Sequence, residues 1–84
     1  MLTTIERLLL AKLFARGAIG SNHYRIETLM HMGWKAHERG EVKDAINHLL
    51  RLGYIRWYNR NKQAIQLNDE MLDEIQDIID DDYR

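Results

Sequence analysis

Between Glu41 and Leu67 the hydrophobic period of the chain changes from helical to alternating across a single glycine. Few chains of this size can absorb such a switch. Val42, Ala45, Ile46, Leu49 and Leu50 recur at i, i+3, i+4, i+7 and i+8, the spacing that buries one stripe of a helix. This predicts a helix over Glu41–Leu52, with Asp44, Asn47, His48 and Arg51 on its opposite side. The segment Leu52-Gly53-Tyr54 breaks it. In Tyr54–Asn59, Ile55 and Trp57 then alternate with Tyr54, Arg56 and Tyr58, and in Ala64–Leu67 the inward candidates are Ile65 and Leu67. Antiparallel neighbours on one face pair directly, so Trp57 should oppose Ile65 and Ile55 oppose Leu67. That register closes on a three-residue loop, Arg60-Asn61-Lys62, with Asn61 or Lys62 taking a left-handed conformation.

The remaining segments read as three more helices. Thr3 and Glu6 form a T-x-x-E capping box ahead of a helix over Thr4–Arg16, and Gly17 suits its C-terminal cap. Ile5, Leu8, Leu9 and Leu13 make one stripe, while Leu10 and Phe14 lie well round from it. So wide an arc fits either a helix packed on two sides or a dimer surface. A second helix is expected over His23–Met32, capped by Ser21 or Asn22 and buried through Ile26, Leu29 and Met30. Trp34 is the one large apolar residue in the polar connection Gly33–Gly40 and should plug the gap between helices two and three. A helix beginning near Lys35 instead would place Gly40 inside it, at a cost of ~1 kcal/mol. Asn68 caps a last helix over Asp69–Asp81, with Leu67 and Leu72 at the staple positions. Its stripe is Met71, Leu72, Ile75, Ile78 and Ile79, and Asp80, Asp81 and Asp82 oppose the helix dipole, so fraying is expected there.

Eighty-four residues suffice for one domain, divided into a core and hairpin over residues 1–68 and an acidic helix over residues 69–84. Cysteine is absent, which rules out disulfides, thiolate metal sites and cysteine catalysis. The histidines His23, His31, His37 and His48 match no zinc spacing. No phosphate loop or nucleophile motif is present, so the chain does not read as an enzyme, and no metal or cofactor is expected. The apolar run Leu8–Phe14 is far shorter than the ~20 residues of a membrane span and no cleavage site follows it, which suggests a soluble, cytoplasmic protein. Net charge is −1 but unevenly placed. Residues 1–68 hold eleven Lys/Arg against five acids, a balance of +6, and residues 69–84 hold eight acids against Arg84 alone, a balance of −7. Arg51, Arg56, Arg60 and Lys62 follow one another with no acid between, so they can form a local positive patch despite the total.

The order helix–helix–helix–strand–strand–helix around Ala45-Ile46-x-x-Leu49-Leu50-x-Leu52-Gly53-Tyr54-Ile55 and a basic hairpin resembles the winged helix-turn-helix superfamily, nearest to MarR-like regulators and small archaeal winged-helix proteins. The resemblance covers residues 22–68. It implies a mainly α fold with a small β-hairpin: a three-helix core, a two-stranded wing and a C-terminal helix. It further implies a DNA-binding transcriptional regulator. Lys43, Asp44, Asn47, His48 and Arg51 of helix three would face the major groove, and Arg56, Tyr58, Arg60, Asn61 and Lys62 of the wing would meet the backbone of double-stranded DNA. A homodimer through helices one and four would present two such units. The alternative is a winged helix serving as a protein–protein module, which the acids Glu41 and Asp44 at the start of helix three would suit.

Overall fold

The computed structural model describes the backbone of residues 1–83 and the side chains of residues 1–81. Four helices and three strands follow in the order α1 (Thr4–Ala15), β1 (Tyr24–Arg25), α2 (Ile26–Leu29), α3 (Arg39–Leu52), β2 (Ile55–Asn59), β3 (Ala64–Leu67) and α4 (Leu72–Tyr83), with a single 3-10 turn at Asp69–Met71 leading into α4. The chain is roughly half helical, and the strands form one antiparallel sheet in the order β1-β3-β2.

α1 begins at the expected capping box. The Glu6 N–H donates to Thr3 Oγ1 at 3.1 Å and the Thr3 N–H donates to Glu6 Oε1 at 2.7 Å. Ile5, Leu9, Leu10 and Leu13 are buried and face α3 and α4, whereas Leu8 is half-buried and Phe14 exposed. Each fully buried leucine contributes about 1.5–3 kcal/mol, so α1 is the central support of the core. α3 buries Val42, Ala45, Ile46 and Leu49 as its periodicity requires. It starts at Arg39, so Gly40 does lie within its first turn, where the missing Cβ costs less than in mid-helix. Gly53, at φ +84°, takes the left-handed cap that turns the chain into β2, and its N–H meets the Leu49 and Leu50 carbonyls.

The strand register is the expected one, with Ile55 opposite Leu67 and Trp57 opposite Ile65. Three features of the sheet differ from the sequence reading. First, residues 24 and 25 are drawn into β1 by pairing Tyr24 with Ile65 and Arg25 with Ala64, so α2 has only four residues and no side-chain cap. Neither Ser21 nor Asn22 caps it, and the Asn22 side chain donates instead to the Gly17 carbonyl at 3.1 Å. Sheet hydrogen bonds here override a local helical pattern. Second, β3 becomes the central strand and all four of its residues are buried. Gln66 fills the outer face, where its amide donates to the Gly20 and Asn22 carbonyls at 2.8 and 3.1 Å. Third, a bulge between Trp57 and Asn59 shifts the pairing so that Asn59 opposes Ala64, and the turn spans four residues, Arg60–Gln63. The left-handed residue is Gln63, at φ +51°, and not Asn61 or Lys62.

Trp34 is buried, 6% exposed, with its Nε1–H donating to the Leu29 carbonyl at 2.7 Å and Lys12 of α1 over its ring. Asn68 caps the final turns by accepting from the Glu70 N–H at 3.1 Å. α4 packs on α1 through buried Ile75 and half-buried Ile78 and Ile79, and it continues as helix to Tyr83, past the expected fraying point. The apolar anchorage outweighs the unfavourable aspartates at its end. The Asp82 side chain and Arg84 lie outside the described residues. No helix among the described residues is long and apolar enough to cross a membrane.

Candidate nucleic-acid interface

The exposed side of α3 divides into two flanks around Asn47, which is itself exposed. On one flank Arg39 and Lys43, one turn apart, line an open cleft with Ile26, Glu27, Met30 and His31 of the α2 segment and with Gln63 of the hairpin turn. Two of these residues are joined through the backbone, the Ile26 N–H donating to the Gln63 carbonyl at 3.0 Å. The left-handed Gln63 therefore does positional work: it brings the hairpin turn onto the start of α2, beside the cationic flank of α3. Lys43, expected in the candidate set, is exposed on α3. Arg39, His31 and Gln63 were outside the sequence-derived set. The i−4 spacing of Arg39 from Lys43 is its one signal in the sequence, and a helix predicted to begin at Glu41 excludes it.

On the other flank Asp44, His48 and Arg51 line a second cleft, of about 400 Å³, together with Thr3, Ile5, Glu6 and Glu41. His48 is turned onto α1, where its Nδ1 meets Glu6 Oε2. It is therefore a contact between α1 and α3 more than an open groove-facing residue. Glu6 is buried, at 2% exposure. Burial pushes its carboxyl pKa up, but hydrogen bonds from the Thr3 backbone and from His48 outweigh that and leave it below the ordinary carboxylate value. Asp44 and Arg51 remain exposed.

The hairpin residues also separate. The Arg56 guanidinium is occupied, since Nε donates to Gln66 Oε1 at 3.0 Å and Nη1 lies 3.3 Å from Asp69 Oδ1. Tyr58 stands at the bulge and stacks on His23, with ring centroids 3.9 Å apart and planes within 8°. Arg60 lies over the Trp57 ring at 5.9 Å, a cation–π contact that leaves its guanidinium at the surface. Asn61 and Lys62 are exposed at the turn, which the Lys62 N–H steadies by donating to Asn59 Oδ1 at 3.1 Å. Among the described residues Arg39, Lys43, Arg51, Arg60 and Lys62 are exposed and have no carboxylate partner. With Asn47 they are exposed groups of α3 and the hairpin turn that are available to a polyanion.

Among the described residues no group of three His, Cys, Asp or Glu is arranged to hold a metal ion. Compared with protein-family models, with curated proteins and with solved structures, the chain has no significant match in any of the three.

Proposed function

We propose that this chain is a DNA-binding module of winged helix-turn-helix type, with α3 entering the major groove and the β2–β3 turn resting on the phosphate backbone. The observation that carries the reading is the cleft in which Arg39 and Lys43 of α3 meet Gln63 of the hairpin turn over the start of α2. This juxtaposition brings Arg39 and Lys43 of α3 to the Gln63 end of the hairpin turn, with the acidic α4 contributing none of the cleft's lining. A helix of α3's length fits a major groove. Lys43, Asn47 and Arg51 would reach base edges or phosphates from it, and Arg39, Arg60 and Lys62 would neutralise phosphates. As a regulator of transcription the module would act through this face.

A second reading, a protein-binding winged helix, draws on the other flank of α3, where Glu41, Asp44 and Glu6 line one cleft. The two are separated by titrating isotope-labelled protein with a short duplex and following backbone amide shifts. The DNA reading expects the shifts to centre on residues 39–51 and 60–63 and to spare α4. Shifts confined to α1 and α4, or none at low salt, would remove it.

A further inference from the structure

We infer that the outer face of α1, continued by Ile79 of α4, is where a second copy of this chain docks. This inference is independent of the nucleic-acid reading. α1 has already committed Ile5, Leu9, Leu10 and Leu13 to the core. Its opposite side nevertheless carries Leu8, Ala11, Phe14 and Ala15, which with Ile79 line one open apolar groove. Phe14 is 36% exposed. A helix that needed only one buried face would carry polar residues there.

The charges bordering the groove point to the occupant. Lys12 and Arg16 border it on the α1 side, and neither has a carboxylate partner among the described residues. Lys12 Nζ sits 5.1 Å over the Trp34 ring, which holds that cation near the rim. Beyond Ile79, the outer stripe of α4 is acidic: Asp73, Asp77 and Asp80 recur at i, i+4 and i+7, with Asp73 and Asp77 exposed. The strip thus runs cationic, apolar, acidic. A two-fold axis lying in the plane of the strip, at right angles to that direction, superposes each copy's cationic border on the other's acidic one and buries the two apolar floors together. A strip bordered by a single sign of charge would repel its own copy.

The experiment is sedimentation equilibrium on the full chain, with circular dichroism to confirm that each variant folds. The wild type should behave as a dimer of the 10.0 kDa chain. Ala15→Glu puts an unpaired charge on the groove floor at a site open to solvent in the monomer, so it should fold normally and weaken association by more than about tenfold. Asp77→Arg should weaken it, and Arg16→Glu combined with Asp77→Arg should recover part of the loss. Leu52→Glu, at the exposed apolar position on a different surface, should leave association unchanged. A monomeric wild type at high micromolar concentration would overturn the inference. So would a dimer that survives Ala15→Glu or is lost with Leu52→Glu. DNA binding is not read in this experiment, so its failure leaves the nucleic-acid reading untouched.

Discussion

Replacing Glu6 by Ala tests the polar joint between α1 and α3. The Glu6 carboxylate accepts from the Thr3 N–H at 2.7 Å and contacts His48 Nδ1, all at a position 2% exposed. Hydrogen bonds to a charged group contribute about 1.5–3 kcal/mol each. Both partners lie toward solvent, with Thr3 exposed and the His48 side chain 38% exposed, so water replaces much of what is lost and the lower end applies. The expected cost is about 2 kcal/mol at neutral pH, a fall in Tm of roughly 8–16 °C for a domain of this size. The pH dependence follows from the sign of the shift. The folded pKa of Glu6 lies below its ordinary value, so its contribution is complete above the ordinary carboxylate range and is lost as pH falls through the folded pKa. Urea unfolding of wild type and variant across pH should therefore show the stability gap narrowing below about pH 4. A variant as stable as wild type at pH 7, or a gap that persists undiminished at pH 3, would refute the reasoning.

Other consequences can be checked separately. Arg60→Ala with Lys62→Ala should weaken binding to duplexes of any sequence and flatten the slope of log K against log salt by about 1.8, measured by fluorescence anisotropy. Asp69→Asn releases Arg56 from its 3.3 Å ion pair; it should steepen that slope by up to ~0.9, and a weaker binder would contradict the proposed backbone contact by the hairpin. Gln63→Gly removes a left-handed non-glycine residue and should raise Tm, with up to about 1 kcal/mol gained after the entropy of the added glycine is deducted. Trp34→Phe keeps the ring but loses the 2.7 Å bond to the Leu29 carbonyl, at an expected cost of about 1–3 kcal/mol in urea unfolding.

The parts of this fold legible in the sequence are those set by local periodicity. The α3 stripe, the Gly53 cap, the capping box at Thr3 and Glu6 and the pairing of Trp57 with Ile65 all follow from spacing within a dozen residues. β1 was hidden because Tyr24 and Arg25 pair with β3, some forty residues away, and a helical pattern in Ile26, Leu29 and Met30 ran straight into them. The burial of Gln66 was equally invisible, since strand alternation points it outward and only the loop carrying Gly20 and Asn22 makes that side an interior. At the candidate site, the exposure of Lys43, Asn47, Arg51, Arg60 and Lys62 was legible from their type and position. The commitments of Arg56 to Asp69, of His48 to Glu6 and of Tyr58 to His23 were not. Spacing says which side of an element a residue occupies, while tertiary contacts decide whether that residue is still free to bind.

The proposed nucleic-acid face is tested most directly by the salt dependence of its affinity for random-sequence duplex DNA. Among the described residues five exposed cations of this face lack a carboxylate partner, Arg39, Lys43, Arg51, Arg60 and Lys62, and they set an upper slope of about −4.5 for log K against log salt per chain. Fluorescence anisotropy should return binding at low salt that weakens with a slope between about −3 and that limit. Affinity that ignores salt, or no binding at the lowest salt tested, would contradict it.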